Sequence, residues 1–450
     1  MYKNKYLKYK EKYLNLKNQS NHSISVHLRK GINDDGDIIN VMNSCDTDLC
    51  LQQRNNFLFS PNFVLDQWSS WNFIFSNTPY SFKHDYNKNL DFTDELSQDN
   101  KYKFFDDNFV PFLTILDKLK LIYQNEYSNN NNIYSEKYKG MKINISDNSQ
   151  VHFIGDIHSS INSLHYLFNR FQNLGTIFSG NSLYLLKNQY IIFTGDLVDY
   201  GPYGLEILFF IFNLKVLNPN NVFIINGNHE DYSLYNREQS NVNLSLEMNN
   251  QIPLRKKLVD NILMFLPVVI FLILNGKTYQ INHGAIIRED AGYNEDTFEF
   301  DKTSKLKEFL NSSNNIIVFN DGNDFLWGDF KYTNDDLGWT STQYGRNMYH
   351  IDIVKKYLDK HNIECIISGH QDTISIGIMP NNIDLDNIYI SSNEYLEYQN
   401  MDKLITYDYL EEDEYNFEIK PYETVLALTI SSAVTLQKRA KYYCCITLHT

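Results

Sequence analysis

One pattern, repeated three times between residues 151 and 230, constrains this chain more than any other feature. Each repeat is a short apolar run rich in β-branched residues, then a small residue, then side chains that can bind metals. Short apolar runs bounded by glycine are typical of strands buried on both faces of a parallel sheet. Residues 161–171 and 205–217, between the runs, have helical spacing. The sequence therefore predicts a βαβαβ unit. The polar residues that close the three runs are Asp156 and His158, Asp196 and Asp199, and Asn228 and His229.

These polar residues are expected to meet in space. Crossover connections place the carboxyl ends of parallel strands at one edge of a sheet. Carboxylates and imidazoles that are buried together destabilise a fold unless a cation joins them. Oxygen ligands mixed with imidazole, without thiolate, suit Mn²⁺, Fe or Zn²⁺. Since a shared carboxylate can bridge two ions that clamp phosphoryl oxygens, the pattern predicts a site for two divalent metal ions.

The three repeats resemble the signature blocks of the calcineurin-like metallophosphoesterases, and more narrowly those of the phosphoprotein phosphatases that act on serine and threonine. The blocks are GDIH at 155–158, GDLVD at 195–199 and GNHE at 227–230. Further blocks follow in the family's order: HG at 283–284, LWGD at 326–329 and SGHQ at 368–371. The resemblance covers roughly residues 145–450. It implies an α/β fold of the α+β sandwich type, with two mixed β-sheets flanked by helices.

The resemblance also implies roles for individual residues. A hydroxide between the two ions would attack phosphorus directly, without a phospho-enzyme. His229 would protonate the leaving oxygen, and Asp199 would orient its ring and support its charged form. Asn228 would also contact the substrate. The implied ligands are Asp156, His158 and Asp196 for the first ion, and Asp196, Asn228, His283 and His370 for the second, with Asp196 as the bridge.

Several positions depart from the family pattern close to the predicted site. The family has an arginine after its second block, where this chain has Tyr200, and a neutral tyrosine can donate only one hydrogen bond to phosphate. Arg346 occupies the place of the family's other arginine, so it is the predicted phosphate-binding cation. Arg288, just beyond the HG block, is a group that could compensate for the missing arginine. Ser159 replaces the glycine that ends the first family block, and serine is small enough to be tolerated there.

Three functions are compatible with the sequence. The leading hypothesis is a Ser/Thr protein phosphatase that hydrolyses phosphate monoesters of a protein or a small molecule. The alternative within enzymes is a nucleotide or dinucleoside polyphosphate hydrolase, which the missing arginine keeps open. The alternative from another class is a catalytically weak binding protein or a structural protein of a virus particle. The complete set of metal ligands disfavours this last alternative.

Composition limits the partners and the location of the protein. The net charge of −15 argues against general nucleic-acid binding. The five cysteines form no Cys-x-x-Cys pair, which is typical of reduced thiols in the cytosol. The longest apolar run, at 263–274, contains a proline and is too short to span a bilayer. We therefore expect an intracellular, cytoplasmic protein without a transmembrane segment. The heavy use of Asn, Ile, Tyr and Lys resembles giant DNA virus proteins, for which the location would be the host cytoplasm or the virus particle.

The chain divides near residue 140 into an accessory region and a metallophosphoesterase domain at 141–450. Residues 1–20 predict a basic amphipathic helix that could serve as a docking tail, and 1–55 are expected to be loose overall. Residues 109–123 predict a helix, while residues 56–85 are aromatic enough to pack on another layer. Within the second domain, residues 372–424 predict a solvated insertion. The apolar runs at 425–433 and 442–448 predict a closing antiparallel pair of strands.

Overall fold

The computed structural model of the protein describes most of the chain, in sixteen stretches and one single position. They are residues 23–30, 48–78, 109–127, 136–201, 203–231, 243–248, 252–295, 297, 299–331, 339–341, 345–371, 374–380, 388–391, 405–411, 414–419, 425–431 and 442–449. The predicted basic helix at 1–20 lies outside the described residues.

The described strands form two large mixed sheets and two small ones. The first sheet has the order β17-β18-β1-β20-β3-β4-β5, and the second has the order β10-β2-β6-β7-β14-β19-β15-β16. The small sheets are β11-β13-β12 and β8-β9. The strands are β1 (Ser23–Lys30), β2 (Lys139–Ile145), β3 (Gln150–Ile154), β4 (Gln189–Phe193), β5 (Val222–Ile224), β6 (Val269–Leu274), β7 (Lys277–Asn282), β8 (Tyr293–Asn294), β9 (Glu299–Phe300), β10 (Ile316–Val318), β11 (Asp329–Phe330), β12 (Trp339–Ser341), β13 (Asn347–Tyr349), β14 (Cys365–Ser368), β15 (Ile374–Pro380), β16 (Ile388–Ser391), β17 (Ile405–Glu411), β18 (Glu414–Ile419), β19 (Val425–Ile430) and β20 (Tyr442–His449).

Helices cover the outer faces of the two large sheets. The described α-helices are α1 (Asp48–Leu58), α2 (Trp68–Ser76), α3 (Val110–Glu126), α4 (Ile161–Leu174), α5 (Gly204–Leu217), α6 (Asn243–Met248), α7 (Ile252–Asn261), α8 (Lys305–Asn311), α9 (Asp324–Trp327) and α10 (Ile351–His361). No helix among them is both long enough and apolar enough to cross a membrane.

The predicted βαβαβ unit is confirmed. Strands β3, β4 and β5 pair in parallel, with Phe153 opposite Ile192 and Phe193 opposite Ile224. Helices α4 and α5 are the crossovers. Helix α4 begins where the Ser160 side chain accepts a hydrogen bond from the backbone N–H of Ser163. The carboxyl ends of the three strands therefore lie at one edge of the first sheet.

The two large sheets face each other across an apolar core, which confirms the predicted sandwich. Phe153 and Ile446 from the first sheet belong to the same buried cluster as Leu272, Ile367 and Leu428 from the second. Alternate residues on each strand point into this layer, because successive side chains of a strand face opposite sides. The opposite faces of the sheets are covered by helices, in one cluster that includes α4 and α5 and another that includes α10.

Helix α5 is apolar on all sides because it is enclosed. Its residues from Gly204 to Lys215 are all buried, which is the pattern of a helix covered on every face. The N-terminal helices supply the outer cover. Trp71 of α2 lies 4.8 Å from Phe209, and Phe112 of α3 lies 5.5 Å from the same ring, measured between centroids. The described helices of residues 48–127 thus pack directly on a helix of the βαβαβ unit.

The expectation of a loose segment over residues 1–55 is wrong for Ser23–Lys30. This segment is strand β1 inside the first sheet, paired antiparallel to β18 on one side and to β20 on the other. Ile24 is fully buried in the core between the sheets. Polar residues alternate with Ile24, Val26 and Leu28, so the strand reads as polar in composition although its spacing is that of a half-buried strand.

The predictions for the C-terminal quarter also need correction. Residues 372–424 are not only a solvated insertion, because β15 and β16 extend the second sheet and β17 and β18 extend the first. Strands β19 and β20 do not pair with each other. Strand β19 pairs with β14 and β15, whereas β20 lies between β1 and β3. The two apolar runs are close in sequence, which favours an antiparallel pair, but each is an internal strand of a different sheet.

Candidate metal centre and active site

The predicted metal-binding residues come together where strands of both large sheets end. Strands β3, β4 and β5 lead into Asp156, Asp196 and Asn228, while β7 and β14 lead into His283 and His370. All of these residues are buried. The sequence pattern predicted that Asp156, Asp196 and Asn228 would meet at one edge of a sheet, and the structure shows that strand ends of the second sheet add His283 and His370 to the same site. We call the set Asp156, His158, Asp196, Asn228, His283 and His370 the ligand cluster.

One half of the ligand cluster gathers four potential metal-binding atoms. His283 Nε2 lies 2.9 Å from Asn228 Oδ1, 3.1 Å from Asp196 Oδ2 and 3.2 Å from His370 Nδ1. His370 Nδ1 is itself 2.9 Å from Asn228 Oδ1. The other half places His158 Nε2 at 3.5 Å from Asp196 Oδ2. Asp196 therefore belongs to both halves, the position expected of a bridging carboxylate.

Backbone carbonyl groups orient the histidine rings towards this centre. His283 Nδ1 lies 3.1 Å from the carbonyl oxygen of Thr194, and His158 Nδ1 lies 3.0 Å from that of Val198. Because a carbonyl can only accept, each ring carries its proton on Nδ1 and directs the lone pair of Nε2 into the cluster. Lone pairs from two oxygens and from ring nitrogens around 3 Å apart repel one another, and a divalent cation removes that repulsion. The donor set thus fits a divalent metal ion.

The backbone of the site is held in an uncommon conformation. Six of the ten non-glycine residues with positive φ in the described chain lie here: His158, Ser159, Asp196, Asp199, Tyr200 and His370. Left-handed backbone at such residues costs free energy and is concentrated at functional sites. The strand ends also approach closely, since a Cβ on Gly195 would lie 2.6 Å from the backbone of Gly227. Glycine in the second and third blocks is therefore required by the contact between them.

His229 and Asp199 form a pair beside the ligand cluster. His229 Nδ1 lies 2.7 Å from Asp199 Oδ2, and the backbone N–H of His229 donates to Asp196 Oδ1 at 3.0 Å. Burial disfavours the charged ring, but Asp196 and Asp199 outweigh this and raise the pKa of His229 to about 9. The second oxygen of Asp199 accepts from the backbone N–H of Leu244 on α6 at 2.9 Å. This carboxylate therefore connects the histidine to a helix outside the βαβαβ unit.

Glu230 organises the site, although sequence reasoning assigned it no role. Its fully buried carboxylate accepts hydrogen bonds from four backbone N–H groups, those of Asp196, Leu197, Val198 and Gly227. Burial, followed by the charge of Asp196, raises the pKa of Glu230 to about 7. The carboxylate ties the end of β4 to the end of β5. The available signal was the acidic residue that closes the third block, directly after His229.

Tyr200 and Arg346, two of the residues predicted to contact substrate, lie beside the ligand cluster and are only partly buried. The third, Asn228, is a buried member of the cluster. The ring of Tyr200 lies 4.6 Å from that of His158 and 5.0 Å from that of His229, between centroids. Arg346 Nη1 lies 3.3 Å from His370 Nε2, and its guanidinium lies 5.2 Å from the Trp327 ring centroid. We call Tyr200, Arg346, Arg288, Trp327 and Trp339 the substrate rim.

Arg288 makes a different set of contacts from the one predicted. Its guanidinium stacks on Trp339 at 3.9 Å and its Nη1 lies 3.0 Å from Glu295 Oε1. Its Nε also lies 3.9 Å from a carboxylate oxygen of Asp324. The contact with Trp339 joins Arg288 to β12 of the sheet β11-β13-β12, in which β13 begins directly after Arg346. These contacts do not include the position beside Tyr200 that a compensating arginine would occupy.

The chain is similar in sequence to known phosphoesterases. The model of the calcineurin-like phosphoesterase family matches residues 149–372. Human serine/threonine-protein phosphatase 5 is 26% identical over 210 residues, which are 45% of this chain and 37% of the human protein. Arabidopsis thaliana serine/threonine-protein phosphatase 7 is 33% identical over 82 residues, which are 18% of this chain and 17% of that protein.

Among solved structures, that of a protein serine/threonine phosphatase from Saccharomyces cerevisiae is similar to this chain. The structural alignment covers 73% of this chain and 79% of the yeast chain, with 16% sequence identity and a TM-score of 0.46. The matched part of this chain spans 37% of the length of human serine/threonine-protein phosphatase 5, little more than a third.

Proposed function

We propose that this protein is a Ser/Thr protein phosphatase that hydrolyses phosphate monoesters. The premise is that residues 149–372 match the model of the calcineurin-like phosphoesterase family, which uses divalent metal ions. The observation that carries the proposal is the convergence of Asp196, Asn228 and His370 on His283 Nε2, at distances of 3.1, 2.9 and 3.2 Å. Such a cluster at the ends of buried strands is stable when it binds cations, and cations are what a phosphoryl group requires.

The ligand cluster provides for two ions. Asp156, His158 and Asp196 would hold one, and Asp196, Asn228, His283 and His370 the other. When bound, divalent ions such as Mn²⁺, Fe or Zn²⁺ polarise the phosphoryl oxygens and activate water as the nucleophile. The carbonyl oxygens of Thr194 and Val198 keep His283 and His158 in the tautomer that this requires.

His229 is the proposed general acid. Its Nδ1 is occupied by Asp199, which leaves Nε2 to donate a proton to the leaving oxygen of the ester. Asp199 stabilises the imidazolium and fixes the plane of the ring. Glu230 holds the backbone of residues 196–198 and so keeps both Asp196 and Asp199 in place.

Arg346 is the proposed phosphate-binding cation. It lies against His370 at the edge of the ligand cluster, where a guanidinium could bind phosphoryl oxygens through charged hydrogen bonds. Trp327 supports it through a cation–π contact. Asn228, which faces the same edge, is proposed to contact the substrate as well.

A nucleotide or dinucleoside polyphosphate is the second candidate substrate, and Tyr200 is the observation that favours it. Its ring stands beside His158 and His229, where an aromatic face could stack on a base. The oriented ligand cluster makes a purely structural role less favourable. Docking through the basic segment at residues 1–20 and a location in a host cell or a virus particle stay predictions.

The test is a side-by-side assay of metal-reconstituted protein. Metal-free protein is loaded with Mn²⁺, Fe²⁺ or Zn²⁺ and given phosphoserine peptides, phosphothreonine peptides and diadenosine polyphosphates at equal concentrations. Faster turnover of the phosphopeptides is expected. A preference for the dinucleotides would assign the nucleotide function instead. Protein that binds two ions per chain yet hydrolyses none of these substrates would contradict both enzymatic proposals.

A further inference from the structure

The N-terminal helical layer contains a buried cation that reaches the catalytic unit. Arg54 of α1 is fully buried, and its Nη1 lies 3.6 Å from Glu206 Oε1. The same Nη1 donates to Thr78 Oγ1 at 3.2 Å, just after α2. Glu206, also buried, is in the first turn of α5. An ion pair between buried groups is costly to break, because the remaining charge is left without compensation.

Helix α5 begins at Gly204, four residues after Tyr200 and five after Asp199, so its first turn lies close in sequence to both residues. Burial raises the pKa of Glu206 to about 7, and the nearby Arg54 opposes that rise. The guanidinium thus helps to keep the carboxylate charged inside the protein. Without Arg54, Glu206 would have to take up a proton or draw the first turn of α5 towards water.

Helix α6 connects this turn back to the proposed general acid. The Glu247 carboxylate on α6 accepts from the backbone N–H groups of Gly204 and Leu205, at 3.0 and 2.9 Å. The backbone N–H of Leu244, on the same helix, donates to Asp199 Oδ1. Helix α6 is therefore attached both to the start of α5 and to the residue that orients His229. A displacement of the α5 start is transmitted to Asp199 through these bonds.

We propose that Arg54 is a positioning residue of the phosphohydrolase, which acts through Glu206 and α6 on the Asp199–His229 pair. The N-terminal layer is then part of the catalytic architecture and not only a cover for α5. The inference rests on the proposed function, because it uses the role of His229 as the general acid. Its effect is expected on proton transfer to the leaving group.

A second ion pair on α5, in which the cation is also buried, provides a matched control. Lys215, in the last turn of α5, lies 2.6 Å from Glu126 at the end of α3. The side chains of Arg54 and Lys215 are 0% and 1% exposed. Both pairs join α5 to the N-terminal layer, but at opposite ends of a 14-residue helix. They are separated by about 13 Å along its axis at 1.5 Å per residue.

The experiment compares Arg54→Met with Lys215→Met on an alkyl and an aryl phosphate. Departure of an alkoxide needs a proton from His229. A phenolate whose conjugate phenol has a low pKa can depart without that proton. Arg54→Met is expected to lower the alkyl-to-aryl ratio of kcat roughly 10–100-fold, since a misplacement of about 1 Å can cost about 10²-fold. Lys215→Met should leave the ratio unchanged. The ratio does not depend on the fraction of folded enzyme, so a simple loss of stability does not affect it.

Two further measurements decide the mechanism. Arg54→Met/Glu206→Gln removes the uncompensated carboxylate and is expected to recover most of the ratio. Hydrogen exchange at the Leu244 amide should accelerate in Arg54→Met and not in Lys215→Met, because that amide reports on the attachment of α6 to Asp199. An unchanged ratio in Arg54→Met, or a double variant as impaired as the single one, would overturn the inference.

Failure of this inference is distinguishable from failure of the proposed function. Wild-type protein that hydrolyses neither ester would refute the phosphohydrolase. The Leu244 amide would still decide the role of Arg54, with unchanged exchange counting against it. Wild-type protein that is active, with equal ratios in both Met variants, would refute only the role of Arg54.

Discussion

The ligand cluster and the substrate rim are adjacent but are held in different ways. Residues of the ligand cluster are buried where strands of two sheets end. The rings of His283 and His158 are oriented by backbone carbonyls, and the Glu230 carboxylate secures the intervening backbone. Residues of the rim are partly buried and stand on loops, a short helix and short strands. A change at the rim disturbs few other contacts, whereas a change in the cluster disturbs both sheets.

The difference separates two properties of the centre. Metal chemistry depends on groups that the core of the fold holds in place, so it is expected to persist while substrate preference changes. Tyr200 illustrates the second property, because it stands where the resemblance implies an arginine and still leaves the cluster in order. The following predictions test this separation, beginning with the largest expected effect.

Replacing the bridging carboxylate should abolish turnover. Asp196→Asn is expected to lose at least one of two metal ions, because Asp196 Oδ2 lies between His283 and His158. Metal content by mass spectrometry and phosphatase turnover measure the effect. Asp290→Asn is the control, since this buried carboxylate bonds Asn320 outside the cluster and its loss should leave the metal content intact. Full metal content in Asp196→Asn would rule out the bridging role.

Replacing the general acid should reduce the rate without removing metal. His229→Asn is expected to lose roughly 10²–10⁴-fold in kcat on alkyl phosphates and less on aryl phosphates. The metal content should be retained, because the contact from residue 229 to Asp196 comes from the backbone N–H. Steady-state kinetics on the two esters measures the loss. Equal losses for both esters would mean that His229 does not protonate the leaving group.

Removing the phosphate-binding cation should have an intermediate effect. Charged hydrogen bonds contribute about 1.5–3 kcal/mol, so Arg346→Ala is expected to lower kcat/KM roughly 10–100-fold. The ligand cluster should keep its metal. Arg288→Ala is the matched control, and its effect should be smaller because Arg288 is engaged with Glu295 and Trp339. A larger loss in Arg288→Ala than in Arg346→Ala would reverse the assignment of the two arginines.

Restoring the family arginine should have the smallest effect, in the opposite direction. Tyr200→Arg is expected to raise turnover of a small aryl phosphate about tenfold, because it adds a charged donor beside the cluster. Tyr200→Phe separates the hydroxyl from the ring. If Tyr200→Arg lowers turnover while Tyr200→Phe does not, the ring itself serves the substrate. The nucleotide proposal would then gain support.

The parts of the fold that were predictable share one physical basis. Strands β3, β4 and β5 are continuous apolar runs, and α4 and α5 lie between them, so the local sequence contains the whole pattern. The polar residues that end those strands were predictable for the same reason. His283 and His370 required the resemblance to a family, because they come from the second sheet and nothing in their own segments places them opposite Asn228.

The parts that were missed depend on partners far away in sequence. Strand β1 is half polar, and its neighbours β18 and β20 are near the other end of the sequence. Strands β19 and β20 have the composition of an antiparallel pair. They lie in separate sheets because each pairs with strands that are distant in sequence. The Arg54–Glu206 pair has no local signal either, since it joins a polar helix to an apolar one.

The position of β20 has a consequence for how the molecule can assemble. This strand lies between β1 and β3, so the first sheet is divided into two pieces until β20 is inserted. Ser25 and His449 form a hydrogen bond across 424 positions of sequence. Contacts of such separation require the closure of a very long loop, which slows folding. On a ribosome that adds about 5–20 residues per second, the βαβαβ unit emerges early and must wait tens of seconds with an unpaired edge at β3. Truncated chains are therefore expected to aggregate through that edge. Folding of the full chain is expected to depend on chaperones that cover it.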